Sequence, residues 1–212
     1  MPRARNKRKP VTKKTFRIFC EGAKTEPYYL KGYLRCFRED NRASVKIVDT
    51  SKNTPVQLVE EAIRFKDSPQ SVKGDVFWVV YDREAEGKYS RDLHLKAWNL
   101  AKANNIEVAL TNICFEYWIL LHFIDSSAAY SSFDDLRLNS RLRSEVNRVC
   151  GKSYDKASDT LFEFIKGDIH SAKLRAKKNN SAVLKAAGAR ELPFDVNPYT
   201  DIPKLLKAID NF

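Results

Sequence analysis

The 212 residues contain no apolar run near the ~20 that a membrane-spanning helix requires, and the opening MPRARNKRKP lacks the apolar stretch of a signal peptide. The expected location is the cytoplasm. Cysteine is scarce and scattered: Cys20, Cys36, Cys114 and Cys150 form no CxxC pair, which speaks against a zinc site and against a secreted disulfide framework. They are expected to be reduced thiols, with Cys20 and Cys114 in the core. No GxxxxGK[ST] phosphate loop occurs, so the chain is not expected to hydrolyse ATP by itself. Internal repeats are absent as well.

What is present describes an ordinary globular chain, 43% hydrophobic and 31% charged, of a length that suits one α/β domain with a helical extension. The net charge of +11 is unevenly spread. Arg3, Arg5, Lys7, Arg8, Lys9, Lys13 and Lys14 place seven cations and no acid in the first 14 residues, leaving 31 bases against 27 acids in the rest. Residues 1–14 therefore read as a disordered basic arm. Two uses stay open for it, a grip on phosphates through counterion release and a solubilising tail.

From residue 15 onward, strand and helix patterns alternate. Residues 15–20 form a β-rich run, and residues 25–37 a helix with Thr25 as N-cap, Pro27 in its first turn, and Tyr29, Leu30, Tyr33, Leu34 and Phe37 on its buried face. Residues 44–49 alternate apolar and polar side chains as a strand nearer a sheet edge, and 55–65 form the next helix. The most apolar run, residues 76–81, reads as a central parallel strand buried on both faces. A helix over 93–104 and a fourth strand over 106–111 follow. The expected fold is α/β and Rossmann-like: a mostly parallel four-stranded sheet flanked by helices. Beyond Thr111 the pattern is helical, with Phe115, Trp118, Ile119, His122 and Phe123 on one face. Further helices are expected over 131–149, 154–165 and 170–179, a loop over 186–198 and a final helix over 202–209. The whole reads as one domain over 15–212, its helical extension starting at about residue 125.

Two strand ends carry acids, Glu21 after the first and Asp82, Glu84 and Glu86 after the third. In the common 2-1-3-4 strand order these ends are neighbours at the crevice where α/β sheets bind ligands, so the carboxylates should converge. Hard oxygen donors on one rim suit Mg²⁺ or Mn²⁺, and such an ion would polarise a phosphodiester and activate water. Glu21 is alternatively a general acid or base. Arg83 is expected to neutralise part of the site. Glu116, at a helix start after the fourth strand, is a ligand or an acid favoured there by the helix dipole. His122 is a satisfied core histidine or an acid–base group. Lys24 and the basic helix with Lys173, Arg175 and Lys177 are candidates for the nucleic-acid backbone, against the alternative of solvated helix faces.

Taken together, Glu21-Gly22, Thr25-Glu26-Pro27 with Tyr29, Asp82 with Glu84, and Phe115-Glu116-Tyr117-Trp118-Ile119-Leu120-Leu121-His122-Phe123 resemble the RloB family. The likeness runs from about residue 16 to 123 and resumes weakly over 172–177 and 197–202. The resemblance implies a Toprim-type fold with a Mg²⁺ site, in which Glu21 matches the Toprim glutamate and Asp82 and Glu84 its Asp-x-Asp pair. Here that pair reads Asp-x-Glu. It also implies an anti-phage role beside an ATPase partner. The reading that results is a metal-dependent nuclease, or a related phosphotransfer enzyme, acting on DNA or RNA. Its metal ligands are Glu21, Asp82 and Glu84, with Glu116 and His122 as further catalytic candidates and Glu86 in support. The rival is a noncatalytic module that binds nucleic acid or a nucleotide and regulates an ATPase.

Overall fold

The computed structural model describes residues 13–38, 44–189 and 191–212, so the expected basic arm lies, up to residue 12, outside the described residues. Strands β1 (Phe16–Cys20), β2 (Val45–Val48), β3 (Val76–Asp82), β4 (Glu107–Asn112) and β5 (Tyr199–Thr200) form one sheet in the order β2-β1-β3-β4-β5. The first four are parallel, and β5 runs antiparallel to β4, pairing Thr200 with Thr111 and Tyr199 with Asn112. The expected four-stranded sheet is thus a five-stranded one. A two-residue strand has no alternation to detect, and distant partners hold β5 in place. The Thr111 and Thr200 hydroxyls meet at 3.0 Å, and the Asn180 side chain accepts the Thr200 N–H at 3.1 Å while donating to its carbonyl at 2.8 Å.

The period of two along each strand divides the interior into two cores. Phe16, Ile18, Cys20, Trp78 and Val80 face one side, packed by α1 (Thr25–Phe37) and α4 (Phe115–Phe123). Phe19, Phe77, Val79 and Tyr81 face the other, packed by α2 (Pro55–Lys66) and α3 (Arg91–Ala103). β3 therefore needs its unbroken apolar run, since both of its faces are buried. Thr54 and Ser90 cap α2 and α3, accepting the N–H groups of Gln57 at 3.4 Å and Leu93 at 3.3 Å. Thr25 is not the cap of α1; Lys24 occupies that position, and the Thr25 hydroxyl donates to the Lys156 carbonyl at 3.3 Å. Phe37, expected inside, is 46% exposed because it ends α1 beyond the core.

Every residue of α4 from Phe115 to His122 is buried, as suits a helix that is apolar all round. It is enclosed with help from α5 (Phe133–Asn139), α6 (Leu142–Cys150), α7 (Leu161–Ile165), α8 (Ile169–Ala186) and α9 (Ile202–Asp210). The helix expected over 131–149 is two, because the Ser140 hydroxyl takes the Leu142 N–H at 3.1 Å and restarts the chain. The expected 154–165 helix shrinks to α7, and the basic helix extends to Ala186. Inside the expected loop, residues Pro193–Asp195 make a 3-10 turn.

Gly32 offers a test of the α1–α7 contact, since an added Cβ would come within 2.6 Å of the Phe162 Cβ. Alanine gains roughly 1 kcal/mol of helix propensity over glycine, whereas overpacking costs ~1–3 kcal/mol. Gly32→Ala is expected to lower the Tm measured by circular dichroism by a few degrees, at ~2–4 °C per kcal/mol for a chain of this size. A higher Tm would mean that α1 and α7 part freely.

Candidate functional site

Parallel strands end on the same side, so the residues that follow β1, β3 and β4 share one rim. The β1–β3 ladder continues past its last pair: the Glu21 N–H donates to the Val80 carbonyl at 2.9 Å, and the Asp82 N–H donates to Glu21 Oε2 at 3.2 Å. The carboxylate of the first strand end is thus anchored on the backbone of the second. Helices starting at this rim add two more acids, Glu26 in the first turn of α1 and Glu116 in the first turn of α4, where the helix dipole favours negative charge. Glu84 completes the set from a left-handed backbone conformation, φ 55°, which costs an L-residue roughly 1–2 kcal/mol. Two bonds to the end of β4 hold that turn, from the Arg83 N–H to the Thr111 carbonyl at 2.8 Å and from the Glu84 N–H to the Ile113 carbonyl at 2.9 Å.

All five carboxyls line one cleft of about 390 Å³. Three ammonium groups, from Lys24, Lys88 and Lys156, line it too. Lys88 Nζ donates to Glu84 Oε1 at 2.6 Å, and Lys156 Nζ lies 3.2 Å from Glu116 Oε1, which also accepts the Tyr154 hydroxyl at 2.8 Å. Five acids against three bases leave the fully ionised cleft two positive charges short.

The shortfall shows in the proton affinities. Burial, and after it the negative charges of Glu26 and Glu116, pushes the Asp82 carboxyl well above its usual range. Asp82 is half-buried as a residue, yet its Oδ1 is shielded from solvent and has no hydrogen-bond partner. Burial raises Glu26 to about 7, even though its own amide and that of Gly22 donate to it. Gly22 is needed for this approach, because a Cβ there would overlap the Glu26 carboxyl. Glu21 rises to about 6 through burial, against the Tyr89 hydroxyl and the Asp82 amide, which favour its charged form.

The other sequence candidates lie elsewhere. Arg83 does not neutralise the cleft: its guanidinium donates to the Phe194 carbonyl at 3.0 Å and the Tyr89 carbonyl at 2.8 Å and pairs with Glu86. Glu86 and Arg83 line a second cleft, on which Glu84 also borders. His122 is a core histidine and does not reach the cleft. Its Nδ1 faces the Ile165 carbonyl at 3.1 Å and so carries the hydrogen, leaving Nε2 to accept the Tyr29 hydroxyl at 3.0 Å. Burial lowers it to about 3 and keeps it neutral. Of the basic candidates, Lys24 is at the cleft. Arg175 instead closes the end of α4 by donating to the Leu121 and His122 carbonyls at 2.7 and 3.0 Å, and Lys173 lies 3.5 Å from Asp210. Lys177 is exposed on α8, away from the cleft lining.

Among the described residues no three His, Cys, Asp or Glu side chains form a ready-made metal-ligand set, so Glu21, Asp82 and Glu84 share a cleft without yet sharing a point. The donor chemistry nevertheless fits Mg²⁺ or Mn²⁺. All donors are hard oxygens, the deficit is two charges, Asp82 Oδ1 is an orphaned acceptor, and Mg²⁺ is content with one or two carboxylates and several waters. Sequence reading missed Lys88, Tyr89, Tyr154 and Lys156. The i, i+4 spacing of Glu84 and Lys88 is the one signal that pointed to any of them.

A family model described as RloB-like protein matches residues 16–209. Comparison with the curated proteins and with the solved structures gave no match.

The carboxyls of Glu21, Glu26 and Asp82 are raised above their ordinary values of 4.5 and 3.8, so the folded state keeps protons that the unfolded chain has lost. The stabilising contribution is complete below those ordinary values, and the share of Glu21 and Glu26 disappears as pH rises through about 6 to 7. Tm is expected to fall between pH 5 and pH 8 in the absence of divalent ions. Added Mg²⁺ should restore it more at pH 8 than at pH 5, because cation and protons compete for the same oxygens. Thermal scans at both pH values check this, and a Tm indifferent to Mg²⁺ at pH 8 would count against a cation site.

Proposed function

The chain belongs to the RloB-like protein family, and we propose that it is a Toprim-type, Mg²⁺-dependent nuclease or related phosphotransfer enzyme acting on nucleic acid. The observation that carries the reading is Asp82 Oδ1, a buried acceptor without a partner, in a cleft whose five carboxyls, when fully ionised, leave it two positive charges short. Glu21 and Asp82, linked through the last amide of β3, would hold the cation, with Glu84 and Glu116 in reach of the same cleft. Bound there, Mg²⁺ or Mn²⁺ would polarise a phosphodiester and lower the pKa of a water. Glu26, at about 7, is the group best placed to hold or release a proton near neutral pH. The proposal extends, by family resemblance alone, to an anti-phage setting with a separate ATPase partner in the cytoplasm.

One observation favours a second reading. Lys88 and Lys156 already neutralise Glu84 and Glu116 without any metal, as suits a noncatalytic module that binds nucleic acid or a nucleotide and regulates an ATPase.

Asp82→Asn and Glu21→Gln separate the two. On the catalytic reading each lowers Mg²⁺-dependent cleavage of a DNA or RNA substrate by on the order of 10²-fold or more, the loss typical of one electrostatic stabiliser. Neither should lower the Tm at pH 8, because each removes a repelled buried charge. Undiminished cleavage by Asp82→Asn would overturn the assignment, and salt-sensitive binding without product in the wild type would select the second reading.

A further inference from the structure

We infer that Lys88 and Lys156 form a phosphate-binding lip that is withdrawn onto the acidic floor until a divalent cation displaces it; this rests on the metal-dependent reading above. The two lysines come from separate segments, Lys88 from the turn between β3 and α3 and Lys156 from the segment between α6 and α7. In both pairs the carboxylate is the deeper partner. The Glu84 and Glu116 side chains are 23% and 2% exposed, whereas those of Lys88 and Lys156 are 51% and 48% exposed. Each ammonium also sits by an aromatic face, Lys88 Nζ 5.1 Å from the Tyr89 ring centroid and Lys156 Nζ 3.6 Å from that of Phe133. The rings offer the lysine stems a resting place that does not depend on the carboxylates.

Charge sets the order of events. Without a cation the cleft, when fully ionised, is two charges negative and repels a phosphate, and Lys88 and Lys156 are spent on Glu84 and Glu116. A dication held by Glu21 and Asp82 would also draw on Glu84 and Glu116, which line the same cleft, and so loosen their hold on the two lysines. The ammoniums, on flexible four-carbon stems, are then free at the solvent side, where a phosphodiester of a nucleic-acid strand would approach. Cation and nucleic acid should therefore bind with positive coupling, carried by the two lysines, and linkage makes the coupling reciprocal.

The two ligands predict effects of opposite sign. In Lys88→Met/Lys156→Met, which keeps the apolar stems, Mn²⁺ affinity without nucleic acid is expected to rise by about two- to fivefold per lysine, the scale of a half-exposed ion pair. Free Mn²⁺ counted by electron paramagnetic resonance reads this without reference to activity. Affinity for fluorescein-labelled single-stranded DNA and RNA 20-mers in the presence of Mn²⁺ should fall about tenfold, and the gain that Mn²⁺ confers on that affinity should vanish. Lys88→Arg/Lys156→Arg should keep most of the oligonucleotide binding. Circular dichroism of each variant confirms the fold. Weaker Mn²⁺ binding by the methionine variant, or undiminished coupling, overturns the lip while leaving the metal site standing. A wild type that binds no Mn²⁺ overturns both.

Discussion

Carboxylates crowded where water is scarce repel one another, and they coexist only if protons or counter-charges intervene. At this rim the acids cannot retreat. Glu21 and Asp82 sit at the ends of strands whose register is fixed by ladder bonds, and Glu26 and Glu116 sit on helices packed into the core below. Every nearby device meets the same need. Lysines reach in from two segments, the N-termini of α1 and α4 point their partial positive charge at the cleft, and Glu26 and Asp82 hold protons at pH values where such groups are normally ionised. The protein gives up stability at this place to keep five acids together in one cleft.

The two-core frame makes that tension sustainable. β3 is clamped from both sides, by Phe16 stacked on Trp78 in one core and by Phe65 and Phe77 in the other, so its end does not shift to relieve the charges. Immediately after it, Arg83 and Glu84 part company. The buried guanidinium of Arg83 binds three carbonyls and Glu86 on one side, and the left-handed backbone at Glu84 sends its carboxylate to the other. One short acidic run is thereby divided between two clefts.

Much of this was legible in the sequence. The β-rich runs, the acids directly after them and the neighbouring positions of the first and third strands follow from period and strand order, which are local or general properties. Glu21, Asp82, Glu84 and Glu116 share a cleft as their positions suggested. What stayed hidden depends on contacts between residues far apart in the chain. Lys156 meets Glu116 from a loop where a helix was expected, and β5 is a strand only because β4 and Asn180 hold it. Of the two readings open for His122, the satisfied core histidine holds, whereas Arg175 misled, since its partners are backbone carbonyls that no motif records. Glu26 carried no such signal, because its place in the cleft comes from Gly22, whose missing side chain lets the carboxyl fold back over the rim.

The small strand β5 also has a bearing on how the molecule meets its own copies. By turning back along β4, and with the Asp201 N–H bound to the Leu110 carbonyl, it occupies backbone groups that would otherwise template a foreign strand. At the opposite border β2 is four residues long and carries the exposed Lys46, a charged gatekeeper of the kind that discourages edge-to-edge stacking. Among the described residues, then, the sheet ends at one border in a two-residue strand and at the other in a short strand guarded by a lysine, both poor templates for edge-to-edge pairing.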